Sequence, residues 1–363
     1  MMDEHAVAAV ARAFEASGEL ESAIRYGSGH IHDTYSVRFK EGGRGGAHIL
    51  LQHINTKIFK NPVAVMENIR RVTTHVRSRL GSATDADRRV LQLVPTREGS
   101  AWHVDDEERY WRAYRFIEGA KTFDEVTSER QAFEAAKAFG SFQRMLADLP
   151  GERLAESIPH FHDTPKRFTD FEFAVDTDVA GRGKHVRAEI EFAMERRFIA
   201  GALVEAGLPE RVTHNDTKLN NVMLDEQTGE GICVIDLDTV MPGFAAYDFG
   251  DMVRTMTCPA AEDEKDLAQV QMRFSFFEAV LRGYLAGAGD FLTAEERKSL
   301  IAGAKVIVFE QGVRFLADYL AGDTYYKVSR EGQNLDRCRT QFRLLESIEG
   351  QEGEMATLLN TID

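Results

Sequence analysis

Apolar and polar positions alternate with a short period through the first third of the chain. Residues 22–26, 34–39 and 47–54 are β-rich runs broken by glycines, and Gly42, Gly43, Gly45 and Gly46 place a flexible hairpin tip between the second and third. The period then lengthens. From Pro62, with Asn61 placed to cap, Val65, Ile69, Val72 and Val76 recur at helical spacing. Strands are predicted again over 89–94, 101–104 and 110–116, with the acidic stretch Asp105 to Glu108 as a solvated hairpin loop. The pattern is one helix set in an antiparallel sheet, preceded by an amphipathic stretch over 6–14.

Past Gly119 the helical period dominates. Helices are predicted over 128–149, 165–176, 185–206, 266–286, 294–320 and 334–349. In the first of these Ala132, Ala136, Phe139, Phe142 and Leu146 share a face; Phe274, Phe276 and Phe277 are core candidates further on. A strand-and-loop island over 211–238 interrupts the helices. The expected fold is α+β and two-lobed, with a small β-rich lobe over 1–118 and a larger helical lobe over 119–363.

Charge and cysteine usage narrow the function. The chain has 363 residues, and 44 Lys+Arg against 59 Asp+Glu leave a net charge of −15, the wrong sign for nucleic acid or an anionic membrane as main partner. Cys233, Cys258 and Cys338 are too few and too scattered for a disulfide framework or a structural zinc site, and fit a reducing compartment. The first residues lack the basic-then-apolar order of a leader, and no run of about 18 apolar residues is present. A cytoplasmic monomer acting on a small molecule is expected. Asn215-Asp-Thr217 matches the glycosylation pattern, which is idle without secretion.

The island carries the chemistry. Val212-Thr-His-Asn-Asp-Thr-Lys-Leu-Asn-Asn-Val-Met-Leu-Asp225 is an apolar strand, a polar loop and a second apolar strand, and Ile232-Cys-Val-Ile-Asp-Leu-Asp238 ends a third strand in two carboxylates. The loop reads His-x-Asp-x-Lys-x-x-Asn, the spacing of the protein-kinase catalytic loop, and the Ile-Asp pair falls where that fold puts its metal-binding Asp-Phe-Gly. Phosphoryl transfer needs a carboxylate beside the acceptor hydroxyl and hard oxygen ligands beside the nucleotide phosphates. Asp216 fits the first need; Asn221 and Asp236 fit the second. Lys218 is placed to neutralise charge on the transferring phosphoryl. His214 is read as a support that hydrogen-bonds the loop backbone. The alternative for Asp216 and Asn221 is an ordinary turn and cap.

The whole chain resembles the aminoglycoside phosphotransferase/choline kinase-like family of small-molecule kinases. Within it, Tyr26-Gly-Ser-Gly-His-Ile-His-Asp-Thr-Tyr35, Leu51-Gln-His-Ile-Asn55, Ile58-Phe-Lys-Asn-Pro62, the catalytic loop, Asp236-Leu-Asp-Thr-Val-Met-Pro-Gly243, Tyr247-Asp-Phe-Gly-Asp251 and Arg314-Phe-Leu-Ala-Asp-Tyr-Leu320 are similar to the N-acetylhexosamine 1-kinase branch. The resemblance implies ATP and Mg²⁺ as cofactors and the anomeric hydroxyl of N-acetylglucosamine or N-acetylgalactosamine as acceptor. It implies Asp216 as base, Asn221 and Asp236 as metal ligands, and Asp238 as a further ligand or a sugar contact. Thr239, His30, Arg314 and Tyr325 are the other expected acceptor contacts. Asp248 spells Asp-Phe-Gly but follows the metal strand, so it is expected to brace the loop. Composition and spacing alone do not name a sugar. A kinase of the same fold acting on an amino alcohol, amino acid or aminoglycoside, or a catalytically dead nucleotide-binding module, remains an alternative.

Gly27-Ser28-Gly29 opens a strand–turn–strand where the backbone can approach phosphates. The third strand has no lysine to pair the phosphates; Gln52 or His53 stands there, which leaves Glu67 of the next helix without its usual partner. Lys57 and Lys60 are candidates for the missing charge, although each also reads as a surface residue. The His30/His32 and His160/His162 pairs lack a third zinc ligand at diagnostic spacing and are read as hydrogen-bonded polar residues. Arg314, four past Glu310, reads either as a surface ion pair or as an acceptor contact.

Overall fold

A computed structural model describes residues 4–27, 29, 31–41 and 44–362. Ser28 and His30 of the expected phosphate and acceptor contacts, and Gly42 and Gly43 of the glycine tip, lie outside them. The chain forms a two-lobed, protein-kinase-like α+β fold. Helix α1 (Glu4–Ala11) precedes strands β1 (Glu19–Arg25), β2 (Asp33–Glu41) and β3 (Arg44–His53), then α2 (Pro62–Leu80), β4 (His103–Val104) and β5 (Tyr110–Arg115). The strands make one antiparallel sheet in the order β1-β2-β3-β5-β4. A small core under it joins Val7, Phe14, Val37, Leu51 and Trp111.

After the connection that follows Arg115 come β6 (Ala120–Lys121), α3 (Glu129–Leu146), α4 (Thr164–Thr177), α5 (Arg187–Glu195) and α6 (Phe198–Gly201). The island supplies β7 (Arg211–Thr213), β8 (Val222–Asp225), β9 (Gly231–Val234) and β10 (Met241–Gly243), and α7 (Ala245–Met256), α8 (Phe274–Ala288), α9 (Ala294–Leu320) and α10 (Gln333–Thr361) complete the lobe. Strand β8 pairs with both β6 and β9, and β10 pairs with β7. Although α2 precedes the connection, its face of Val65, Ile69, Val72 and Val76 joins the large core of the helical lobe. Among the described residues no helix is long and apolar enough to cross a membrane.

Local chemistry explains the element ends. Asn61 accepts from the Ala64 amide at 3.1 Å and Pro62 opens α2; Ser128 caps α3; Thr293 and Glu296 form a reciprocal capping box on α9. Three expectations are corrected. The strand over 89–94 is an irregular segment that bonds β5 only through Val94 and Gln92, because Pro95 has no amide to extend the ladder. The helix over 185–206 breaks at Arg196, whose guanidinium lies 3.8 Å over the Phe192 ring and bonds Glu349 of α10 at 3.1 Å. Helix α10 runs past Gly350 and Gly353 because Met355 and Leu359 continue its buried face.

Candidate active site

The catalytic loop leaves β7 and is gripped from below by α7. Asp248, buried in the first turn of α7, accepts from the His214 amide at 2.9 Å, the Asn215 amide at 2.7 Å and Gln143 Nε2 at 2.5 Å. Thr217 Oγ1 donates to its carbonyl at 2.6 Å. Burial raises the Asp248 carboxyl above the usual range, and these donors keep it a good acceptor. Asp248 is therefore a brace, as its sequence position suggested. Asn215 sits at φ 65°, a left-handed conformation that asparagine tolerates, and its amide reaches the Thr239 carbonyl at 2.9 Å. His214 Nε2 faces the Ile235 carbonyl at 2.9 Å and so must donate; its Nδ1 then accepts from the Asp216 amide at 3.3 Å. The buried ring supports the loop from both nitrogens.

Asp216 emerges from this frame. Lys218 Nζ stands 3.0 Å from its Oδ2, and Asn221 Nδ2 donates to the same oxygen at 3.0 Å and to the Asp216 carbonyl at 2.8 Å. Burial pushes the Asp216 carboxyl up, but the Lys218 charge and hydrogen bond, together with His214 and Arg254, outweigh it and leave the group below the ordinary carboxylate range. Burial likewise opposes the Lys218 charge, and Asp216 and Asp236 restore it. The Asp216 carboxyl is thus ionised at neutral pH. Because Asn221 spends its amide nitrogen on Asp216, its amide oxygen is the atom left for a cation.

Asp236 stands two residues past β9, at φ 59°. Burial and the neighbouring Asp238 and Asp216 carboxylates raise its carboxyl above the usual range. A carboxylate crowded by two others, with an amide oxygen beside it, is a donor set that fits a hard divalent cation. Among the described residues His32, Asp236 and Asp238 also gather closely enough to suggest a metal group. Asp238 is spoken for, however. Arg112 of β5 grips it through Nη1 at 2.7 Å and Nη2 at 2.6 Å, with both side chains buried. Asp238, expected as a further metal ligand or a sugar contact, is engaged in this ion pair between the lobes. Arg112 and, more weakly, His32 hold its carboxyl far below the usual range against the cost of burial.

The residue at the third-strand lysine position joins the same pair. Gln52 faces Arg112 across β3 and β5; its Oε1 accepts from Arg112 Nε at 2.9 Å while its Nε2 donates to Thr34 at 3.1 Å. Lys57 and Lys60 are exposed, and Glu67 bonds only Arg70 on the surface of α2. His32 Nδ1 accepts from the Asn55 amide at 3.1 Å, which turns its Nε2 toward Asp238 Oδ1, 3.5 Å away. Gly27 has φ 81° and needs to be glycine; Gly29 faces open space.

On the far side of the loop, Arg314 is not a surface residue. It is half-buried between the rings of Phe161 and Tyr326, with centroids at 5.4 and 5.7 Å, and lies 3.6 Å from the buried Glu310. Tyr325 is 64% exposed and stands edge-on to Tyr326. Asp318 orders their loop by accepting the amides of Thr324, Tyr325 and Tyr326. Thr239 is buried next to Asp238, with its hydroxyl unpartnered among the described residues. His160 pairs with Asp163 at the surface while His162 turns inward to Glu310, so the two do not share a metal. Arg112 and Asp318 were not singled out from sequence; the signal for Arg112 was an arginine flanked by Trp111 and Ala113 in a central strand.

A small sheet lobe, a helical lobe, a braced His-x-Asp-x-Lys-x-x-Asn loop and an adjoining left-handed Asp define a kinase-like phosphotransferase. The chain belongs to the phosphotransferase enzyme family, whose model matches residues 23–293; it is a small-molecule kinase. Solved structures share the fold at low identity. A microcompartment-associated aminopropanol kinase is 16% identical with a TM-score of 0.62, over 97% of this chain and 98% of that one. An aminoglycoside phosphotransferase from Alicyclobacillus acidocaldarius is 9% identical with a TM-score of 0.62, over 100% and 98%. A choline kinase from Cryptosporidium parvum is 15% identical with a TM-score of 0.56, over 99% of each chain.

Proposed function

We propose that the chain phosphorylates the anomeric hydroxyl of N-acetylglucosamine or N-acetylgalactosamine, with ATP and Mg²⁺. The adenine would lie against the connection between residues 116 and 120, and the Gly27 turn would approach the phosphates. Asn221 and Asp236 would hold the metal, which supplies charge neutralisation to the phosphates. Asp216 takes the proton of the attacking hydroxyl. The anomeric hydroxyl is more acidic than the others of the ring, so a carboxylate held ionised by Lys218 is a sufficient base. Lys218 is also within reach of charge that develops on the transferring group.

One observation favours a neutral acceptor: the charge of the wall formed by Arg314 and Glu310. The Glu310 carboxylate is already shared by His162 at 2.8 Å, Thr164 at 2.6 Å and Arg314. What it leaves is a guanidinium framed by two aromatic rings. An amine would meet a cation there, whereas a sugar offers hydroxyl and acetamido oxygens to Arg314 and a ring face to exposed Tyr325. The kinases of similar fold are named for aminopropanol, aminoglycoside and choline, so an amino-alcohol acceptor is the second reading.

The test is ADP formation over a panel of N-acetylhexosamines, their methyl glycosides and 1-deoxy analogues, amino alcohols and aminoglycosides. Only free N-acetylhexosamines should be turned over, and phosphorus in the product should couple to the anomeric proton. Phosphorylation of a methyl glycoside at position 6 would refute the 1-kinase assignment. Turnover confined to amine acceptors would establish the second reading.

A further inference from the structure

The peptide plane that joins Asn215 to Asp216 is held at both ends by histidines. Its N–H donates to His214 Nδ1 at 3.3 Å, and its carbonyl, on Asn215, lies 3.1 Å from His162 Nε2. The other nitrogen of His162, Nδ1, lies 2.8 Å from Glu310 Oε1. The two partners of His162 are thus a carbonyl and a carboxyl oxygen. A neutral imidazole carries one N–H and cannot donate to both; an imidazolium can. A proton on Glu310 would remove the conflict, but Thr164 donates to Glu310 Oε2 at 2.6 Å and Arg314 stands 3.6 Å from Oε1, and both favour the carboxylate.

The groups around the ring agree with a positive charge there. Helix α9 presents Glu310 and Arg314, of opposite sign, with Glu310 the nearer. Helix α7 presents Tyr247, an uncharged ring 5.2 Å away whose ionisation burial and Glu310 push far up. The flanking segment offers Phe161, Asp163 and Thr164, and the catalytic loop a neutral carbonyl. Burial of the ring opposes its charge, and Glu310 prevails.

We propose that His162 is a charged imidazolium that orients the catalytic base by holding the Asn215 carbonyl, and that Glu310 ties this clamp to Arg314, so that losing the His162 proton slackens Asp216 and ends turnover at alkaline pH. His162 is a positioning residue; it touches neither metal ligand. The role builds on the assignment of Asp216 as the base of a phosphotransferase, while the charge state of the ring is independent of it. Asn215 makes the device necessary. At φ 65° the residue before the base sits in a sparsely allowed conformation, and a small rotation of that peptide swings Asp216. A misplacement of about 1 Å can cost on the order of 10²-fold in rate.

The experiment uses nitrogen-15 histidine spectra and pH–rate profiles of the full chain. The His162 signals, identified by their loss in His162→Gln, should show both ring nitrogens protonated at pH 7. Glu310→Gln should lower the pH at which the ring loses its proton by about one unit or more, as expected on removing an adjacent opposite charge. The alkaline limb of kcat should move down by the same amount, with KM for ATP little changed. His162→Gln, whose amide can still donate to Asn215, should keep part of kcat and lose that limb, while His162→Phe should lower kcat by about ten- to a hundredfold. A ring with one bare nitrogen at pH 7 in the wild type would overturn the proposal, whatever the variants do. So would a limb that stays in place in both Glu310→Gln and His162→Gln. If no acceptor is phosphorylated, the kinase role of Asp216 fails instead, and the wild-type ring spectra still decide whether the charged clamp exists.

Discussion

Three carboxylates, Asp216, Asp236 and Asp238, share one small volume and differ in what neutralises them. Lys218 serves Asp216 and Arg112 serves Asp238, which leaves Asp236 facing two anions. Its carboxyl is raised on folding by burial and by those neighbours, so its share of stability is present at acid pH and is lost as pH rises through the raised value. Asp236→Asn should therefore raise the melting temperature of the protein in chelator at neutral pH, and the gain should shrink toward acid pH. If Asp236 holds the metal as proposed, the same variant should abolish turnover. A scan of melting temperature against pH checks this; a gain that persists unchanged at acid pH would show that charge is not its source. Spacing was enough to group Asp216, Asn221 and Asp236, since the chain itself carries them into one loop and the strand after it. It was not enough for Asp238, whose partner lies far back in the chain in β5. Only the register of β5 against β3 brings Arg112 to it.

At the scale of elements, the loop owes its position to a close-packed helix pair. Helices α3 and α8 approach through glycines: a methyl on Gly283 would stand 2.2 Å from the Phe133 carbonyl, and one on Gly287 would stand 2.1 Å from the Lys137 carbonyl. The contact sets the place of Gln143 on α3, which accepts from Tyr284 of α8 at 2.5 Å and donates to Asp248 under the catalytic loop. Gly287→Ala should force the pair apart at a cost of about 1–3 kcal/mol. Through Gln143 it should also lower kcat more than it raises KM for ATP. Gly353→Ala makes the contrast: its added methyl meets nothing, and replacing a helical glycine should stabilise by roughly 0.5–1 kcal/mol. Denaturant unfolding of both variants measures the difference; equal effects would mean that helix propensity, not contact, governs Gly287. Periodicity revealed α2 and α3 because each has one apolar face and a clear cap. It failed where tertiary contacts decide: at Arg196, pulled out of a helix toward Glu349, and past Gly350, where the buried face of α10 overrides the glycines. Helix α7 was read as a motif rather than an element: nearly all its residues are buried, and its polar stripe of Asp248, Asp251 and Thr255 was taken for chemistry.

The molecule as a whole is held closed by polar contacts that cross between its lobes. Asn68 of α2 donates to the carbonyls of Ala155 and Val240, and the Arg112 fork closes on Asp238. The two-lobed plan was legible because the period of the pattern changes near Gly119; the closure was not, because it depends on residues that meet only when the lobes do. The Arg112–Asp238 pair also gives the hinge an unusual thermal sense. Opening it returns two ions to water, and the ordering of water around ions makes their hydration less favourable as temperature rises. Warming therefore reduces what the ions lose by staying together, so this latch should tighten where most hinges loosen. Small-angle scattering of the nucleotide-free protein should show a radius of gyration that stays constant or falls between cold and warm solution, below the onset of unfolding. Steady expansion on warming would mean that other contacts set the hinge. If the latch does set it, nucleotide should enter the cleft most readily in the cold.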